Sequence, residues 1–191
     1  MSYVDKRIRR FLKPGPQNTE ATLEAARERA EELGIKDIVV GSTYGDTAFK
    51  VLEAFKGMNV NIVVVTISAA FREEGWVMSP EVRKKLEEMG AKVLTCTHAL
   101  GDGVEDAFAE RYGGVSLKRV VADTLRRFSQ GMKVAVEVTL MAVDAGLISV
   151  DRDVIAIAGT DRGADTAIVV RPNYTRKFLD FKIKEIIAKP L

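Results

Sequence analysis

Short apolar runs alternate with amphipathic segments along most of this chain, and their order constrains its fold more than any other feature. Wholly apolar runs are typical of strands covered on both faces of a sheet, whereas apolar residues recurring every three or four positions indicate helices. We predict strands over residues 38–40, 60–65, 91–94, 154–158, 166–170 and 181–186. We predict helices over residues 19–33, 48–57, 80–89, 104–112, 116–129 and 132–145.

This alternation predicts an α/β fold with three layers, α/β/α, around a mainly parallel sheet. Only about seven residues separate the fourth and fifth strands, too few for a crossover, so these two must be antiparallel and the sheet has an antiparallel edge strand. We expect the fourth strand to be central and parallel to the first. Because 191 residues with 47% apolar content can bury one sizeable core, we predict a single domain over residues 1–191.

The composition argues against several classes of protein. A net charge of +2, from 29 basic and 27 acidic residues, and the lack of a basic stripe argue against nucleic-acid binding. Because the basic segment 6–13 is followed by Pro14 instead of an apolar stretch, we expect neither a secretion signal nor a membrane anchor. A single cysteine, Cys96, and a single histidine, His98, argue against a disulfide and a metal site. We therefore expect a soluble cytoplasmic protein, with homo-oligomerisation left open.

Two similar loops of small and hydroxyl residues follow the first and fourth predicted strands, at residues 41–47 and 159–166. Glycine lets backbone N–H groups approach a ligand, and serine and threonine hydroxyls add donors, so an anion is the natural ligand. The first loop leads into a helix, whose N-terminus favours negative charge. Arg162 lies inside the second loop and is the best basic candidate for a phosphate partner. The alternative is that both loops are ordinary turns, which are rich in the same residues.

Topology predicts where these loops meet. The carboxyl ends of parallel strands form the ligand-binding edge of open α/β sheets, so we expect both loops to face one cleft. The first helix runs antiparallel to the strand that follows it. Its N-terminus, with segment 13–19, is therefore expected at the same edge.

Two titratable residues are weak catalytic candidates. Glu137 lies in a helix that is apolar on all sides, and a buried carboxylate needs a partner or acts as an acid or ligand contact. A salt bridge to Arg126, Lys133 or Arg162 is the structural alternative. His98 follows the third strand, where proton transfer is conceivable, although an isolated loop histidine is more often solvated or structural.

A long loop over residues 68–76 follows the second strand, and long loops of this kind are often functional. Its aromatic residues, Phe71 and Trp76, could stack on a planar ring. They could equally cover the sheet edge or contact another subunit.

The chain resembles the C-terminal, allosteric domain of pyruvate kinase over most of residues 35–171. The resemblance rests on the loop 42–48, which matches the sugar-phosphate loop of that domain, and on the strand 62–66, which ends in Val-Thr. The resemblance implies the same fold. Asp46 stands where the kinase loop has a basic residue, and the catalytic barrel is absent, so kinase activity is not implied.

The chain resembles more closely a mostly archaeal, stand-alone family described as pyruvate kinase α/β domain-like. The recurring segments of that family are similar to residues 14–19, 44–48, 162–167 and 185–190. The resemblance implies flavin mononucleotide (FMN) as cofactor. A thermophilic source is expected from the 29% charged residues and the few thermolabile ones.

We therefore predict a binding protein for FMN or a similar phosphate-bearing metabolite, without assigned catalysis. One alternative is a small enzyme acting on a flavin or a phospho-substrate through Glu137 or His98, and another is an interaction module that binds no ligand. The predicted ligand-binding residues are Asn18, Ser42, Thr43, Tyr44, Gly45, Asp46, Thr47, Thr66, Gly159, Thr160, Arg162 and Gly163.

Overall fold

A computed structural model describes residue 3 and residues 5–191 of the chain. The strands form one seven-stranded sheet: β1 (Arg9–Phe11), β2 (Asp37–Gly41), β3 (Asn61–Val65), β4 (Lys92–Leu94), β5 (Val154–Ala158), β6 (Thr166–Arg171) and β7 (Lys182–Pro190). The helices are α1 (Thr19–Leu33), α2 (Asp46–Ala54), α3 (Pro80–Glu88), α4 (Val104–Tyr112), α5 (Leu117–Arg126) and α6 (Gln130–Asp144). Short 3₁₀ turns cover Pro16–Asn18, Ala69–Arg72 and Thr175–Asp180.

The strand order in the sheet is β1-β7-β6-β5-β2-β3-β4. The strands β4, β3, β2 and β5 are parallel, β6 is antiparallel to both of its neighbours, and β7 and β1 are again parallel to each other. The three-layer α/β/α fold with a mainly parallel sheet is thus confirmed. β5 lies at the centre and pairs in parallel with β2, as predicted.

The antiparallel strand β6 is the third strand from one edge of the sheet, because β7 and β1 continue the sheet beyond it. The strand β1 is absent from the sequence prediction. It is only three residues long and begins with two arginines, so it carries no apolar run. The predicted strand 181–186 is observed as β7, which extends to Pro190 because its last residues pair with β1.

Apolar side chains fill both faces of the sheet. One layer packs α1, α2 and α3 against it, around Leu23, Val51 and Leu86. The other layer packs α5 and α6 against it, around Ala122 and Leu140. Both clusters draw on alternating residues of β2 and β5, which explains why residues 38–40 of β2 and all of β5 are apolar.

Serine side chains cap three of the helices. The backbone N–H groups of Val82, Arg119 and Met132 donate hydrogen bonds to the hydroxyls of Ser79, Ser116 and Ser129 respectively. The side chain of Asn18, the residue before α1, does not cap that helix and instead donates to the Lys13 carbonyl.

The N-terminal segment 14–19 is attached to the second glycine loop. The Gly15 N–H donates to Asp165 Oδ2 at 3.0 Å, and the Ala164 N–H donates to Thr19 Oγ1 at 3.0 Å. Asp165 is fully buried, and its other carboxylate oxygen accepts from the Thr166 hydroxyl. The expectation that this segment lies at the edge of the glycine loops is confirmed.

Within residues 3 and 5–191, no helix is both long enough and apolar enough to span a membrane.

Candidate functional site

A cleft of about 250 Å³ lies at the carboxyl edge of the parallel strands. Both glycine loops line it, together with the end of β3 and the first half of α6. The cleft therefore lies where α/β sheets of this kind bind ligands, and the two loops face each other as the topology predicted.

The first loop forms the wall beneath α2. Ser42 and Thr47 are buried, and the Ser42 hydroxyl accepts a hydrogen bond from the Ala48 N–H, which fixes the loop against the helix. Asp46 and Thr47, the first two residues of α2, both line the cleft. The positive end of the α2 dipole therefore lies at this wall.

The second loop places Arg162 across the cleft from the first loop. A guanidinium nitrogen of Arg162 lies 3.1 Å from Asp46 Oδ2, and the guanidinium carbon lies 5.1 Å from the centre of the Tyr44 ring. More than half of each charged side chain is exposed, so this bridge is an open ion pair at the mouth of the cleft. A bound anion would compete with Asp46 for Arg162.

The floor of the cleft carries a buried ion pair on α6. Lys133 Nζ donates to Glu137 Oε2 at 2.5 Å, and the two side chains are 9% and 4% exposed. The other oxygen of Glu137 accepts from the Leu100 N–H at 3.0 Å. Of the three salt-bridge partners considered for Glu137, the structure selects Lys133, since the other two are directed to Asp123 and Asp46.

His98 lies at the side of the cleft and is oriented by a carboxylate. Its Nδ1 lies 2.6 Å from Asp102 Oδ2. When Nδ1 carries the proton and donates to Asp102, Nε2 is the nitrogen that can accept a proton. The arrangement is chemically able to transfer a proton to or from a ligand in the cleft.

An aromatic stack connects the loop after β3 to this histidine. The Phe71 ring lies 6.4 Å from the His98 ring and 5.9 Å from the Trp76 ring, and both pairs are close to parallel. Trp76 is about half exposed. The loop therefore extends the cleft wall outward with planar groups, which suits a flat ligand and equally suits a protein contact.

The structure brings most of the predicted site residues together. The predicted residues that line the cleft are Ser42, Thr43, Tyr44, Asp46, Thr47, Thr66, Gly159, Arg162 and Gly163, with the catalytic candidates Glu137 and His98. Asn18, Gly45 and Thr160 lie outside the lining.

Two glycines serve packing in a way that the sequence interpretation did not anticipate. A Cβ at Gly45 would lie 2.5 Å from the Val82 side chain on α3, and Gly45 has φ +101°. A Cβ at Gly163 would lie 2.7 Å from Pro16 Cα and 2.5 Å from Thr19 Oγ1, and Gly163 has φ +71°. Both positions require glycine for neighbouring protein atoms, so a bulkier residue there would test the fold and not the approach of a ligand.

Sequence reasoning missed Gln130 and Asp161, which line the cleft, and the partners of both catalytic candidates. Lys133 was considered only as a structural partner, and Asp102 was not considered. Lys133 is four positions from Glu137, and Asp102 is four positions from His98. This spacing is the signal in the sequence that could have found both partners.

Known proteins are similar to this chain over most of its length. The family model described as "Pyruvate kinase, alpha/beta domain" matches residues 20–170. Two crystal structures of pyruvate kinase from Cryptosporidium parvum are similar to this chain at 19% and 18% identity, with TM-scores of 0.43 and 0.41. Each likeness covers 83% of this chain but 23% of the kinase, so the chain spans about a quarter of those proteins. A structure of O-ureido-L-serine synthase matches at 18% identity and a TM-score of 0.30, over 68% of this chain and 49% of the synthase. Because the family model covers most of the sequence, including β2 to β6 and both glycine loops, the chain belongs to the pyruvate kinase alpha/beta domain family.

Proposed function

We propose that this protein binds a phosphate-bearing metabolite, with FMN as the specific candidate, in the cleft between the two glycine loops. The observation that carries the proposal is the position of Arg162, opposite the N-terminus of α2 and directly across the cleft from it. A phosphate between them would meet a guanidinium on one side and a helix dipole on the other.

Further groups support an anion. The helix α6 also begins at this edge, and Gln130 in its first turn lines the cleft. The Ser42 and Thr47 side chains are buried in the wall, which places hydroxyl groups beside the start of α2. Within residues 3 and 5–191, the one salt bridge of Arg162 is to Asp46, in an exposed pair of the kind that contributes little energy. A phosphate can therefore displace Asp46 at small cost.

The residues present fit FMN at both ends. The cleft, at about 250 Å³, is slightly smaller than typical pockets for whole cofactors, which begin at roughly 300 Å³. It suits the phosphate and the adjoining chain, while the ring would need planar groups near the mouth, such as Tyr44 and the Phe71–Trp76 stack. A bound flavin would supply redox chemistry, and the residues described here would hold and orient it.

The test begins with the purified protein. Its absorption spectrum and the mass of any released small molecule identify a retained ligand. Calorimetric titration with FMN, riboflavin and inorganic phosphate then separates the contributions of ring and phosphate. We expect FMN to bind more tightly than riboflavin, which lacks the phosphate.

Two variants of the bridge should change FMN affinity in opposite directions. Arg162→Ala should weaken binding about tenfold to a hundredfold, since a charge-assisted hydrogen bond is worth roughly 1.5–3 kcal/mol. Asp46→Asn should tighten binding by up to about fivefold, because it removes an exposed pair worth at most about 1 kcal/mol and a charge that repels phosphate. Arg176→Ala, at an exposed arginine beyond the other end of β6, is the matched control and should change nothing.

The outcomes distinguish the parts of the proposal. Unchanged FMN affinity in Arg162→Ala would refute the role of the second loop. Binding of phosphate esters but not of FMN would retain the ligand class and remove the flavin. Failure to bind FMN, phosphate esters and inorganic phosphate would remove the proposed function.

A second candidate function is a small enzyme that acts on the bound ligand, and the His98–Asp102 pair favours it. Because the pair lies beside the cleft, His98→Ala should abolish any turnover while leaving ligand affinity within about twofold. Turnover that survives in His98→Ala would assign the pair a structural role.

A further inference from the structure

The helices α4 and α5 expose an apolar surface that the proposed ligand site does not use. None of the nine residues of α4, Val104–Tyr112, is buried. Val104, Phe108 and Tyr112 are spaced four positions apart and therefore lie on one face of this helix. The Phe108 and Tyr112 rings are 5.9 Å apart, and all three side chains are mostly exposed.

Exposed apolar side chains also follow α4, on the connection to α5 and in its first turns. Val115, Leu117 and Val120 are exposed by 53–83%. The two helices are joined at their N-terminal ends, since Asp106 on α4 lies 3.1 Å from Lys118 Nζ on α5 and accepts from the Ser116 hydroxyl. We call the surface formed by Val104, Phe108, Tyr112, Val115, Leu117 and Val120 the α4–α5 face.

The size of the α4–α5 face is that of a protein interface. From the exposed fractions of its six residues, it presents on the order of 700 Å². The largest apolar patch of a typical monomer is about 300–600 Å², and a stable interface of standard size buries about 800 Å² on each partner. Leaving this area in water is unfavourable, and covering it would suffice for a specific contact.

The charges beside the face indicate what covers it. The helix α4 carries Glu105, Asp106 and Glu110 against one basic residue, whereas α5 carries Lys118, Arg119 and Arg126 against Asp123. Within the chain Lys118 pairs with Asp106, and both arginines pair with Asp123, so a partner meets the opposite net charges of the two helices and not these individual pairs. Arg127 follows directly at the end of α5. In a two-fold dimer each patch meets an identical patch, so the acidic helix of one chain can lie against the basic helix of the other, twice.

We propose that the α4–α5 face binds a second copy of this chain in an isologous homodimer, with α4 of each copy against α5 of the other. The helix α5 packs against α6, and the six residues of the α4–α5 face are separate from those that line the cleft. It therefore stands independently of the proposed ligand.

The first test compares two exposed apolar positions by sedimentation velocity over a range of micromolar concentrations. The parent chain should sediment as a dimer. Phe108→Glu should be monomeric, because it places a charge at the centre of the face. The matched control is Leu179→Glu, in the turn after β6. Leu179 is even more exposed than Phe108, and this variant should remain dimeric. Because both side chains are exposed, both variants should keep the fold, with an unchanged circular dichroism spectrum and cooperative thermal unfolding. The loss of dimerisation by itself lowers the Tm of Phe108→Glu.

A second test examines the charge arrangement. A chain with Glu105→Arg and Glu110→Arg should form weak homodimers, and so should a chain with Arg119→Glu and Arg127→Glu. Mixing the two chains should restore a heterodimer, since each altered helix then meets a helix of opposite sign. A parent chain that stays monomeric, a dimer that survives Phe108→Glu, or a mixture that fails to associate would each overturn the proposed homodimer. A monomeric parent would leave the face for a different macromolecule.

Discussion

The buried pair on α6 makes the strongest prediction about stability. Lys133→Met removes the ammonium group that pairs with Glu137 and keeps a side chain of similar length. Glu137 is 3% exposed and would retain one hydrogen bond, from the Leu100 N–H. Breaking a buried ion pair by removing one partner typically costs about 3–5 kcal/mol, because the remaining charge is buried without compensation.

Chemical denaturation measures this change directly. In thermal unfolding of a chain of this size, a change of 1 kcal/mol in the free energy of unfolding corresponds to roughly 2–4 °C in the Tm. Lys133→Met should therefore lower the Tm by about 6–20 °C. The double variant Lys133→Met with Glu137→Gln should recover most of the loss, since a neutral amide can still accept from Leu100. Together with the single variant Glu137→Gln, these chains complete a double-mutant cycle that gives the coupling energy of the pair.

A control with the same spacing is available on α3. Lys84 and Glu88 are also four residues apart, but both side chains are mostly exposed. Lys84→Met should therefore change the free energy of unfolding by less than about 0.5 kcal/mol. If Lys133→Met were equally mild, the cleft floor would be open to water and the assignment of a buried pair would be wrong.

Further variants test the sheet and the second loop. Burial raises the pKa of Asp153, but hydrogen bonds from Lys184 and Arg171 outweigh it and hold that pKa below its usual range. Asp153→Asn should therefore lower the free energy of unfolding by about 1 kcal/mol at neutral pH. In urea denaturation, the difference in this free energy between variant and parent should vanish as the pH falls below about 4, where the Asp153 carboxylate becomes protonated. A difference that does not depend on pH would contradict the ion-pair role. Gly163→Ala should destabilise the chain by about 2–5 kcal/mol, because it combines positive φ with overlap on the N-terminal segment. Gly34→Ala, at the left-handed end of α1, shares the positive φ but meets no atom within 4 Å, so thermal unfolding should show a loss of only about 1–2 kcal/mol. Equal losses in the two variants would mean that close packing at the second loop is unimportant.

The sequence predicts those parts of the fold that depend on local patterns. The strands β2, β3 and β5 were found because every residue of their cores is apolar, and the helices because apolar residues recur in them every three or four positions. The edge strand β1 was missed because its pairing with β7 is tertiary and its own residues are charged. Neither the composition of a segment nor the periodicity of its apolar residues indicates pairing between strands that lie this far apart in the sequence.

For the candidate site, the sequence predicts the meeting of the loops but not the partners within it. The antiparallel return of β6 follows from the connection length, and with β5 parallel to β2 it places Arg162 opposite the first loop. The spacing of four positions on α6 is the available signal for the pair of Lys133 and Glu137. The contact of Arg162 with Asp46, in contrast, depends on which side chains reach across the cleft. Such choices depend on packing that no sequence pattern encodes.

The hydrogen bonds that join segment 14–19 to the second glycine loop have a consequence for ligand capture. The loop is attached through Asp165 and Ala164 to residues about 150 positions earlier, so it is held in place before any ligand arrives. A preorganised loop loses little conformational entropy on binding, and more of the contact energy of Arg162 then remains as affinity. The same long separation means that the cleft wall closes only after distant parts of the chain have met, which places its assembly late in folding.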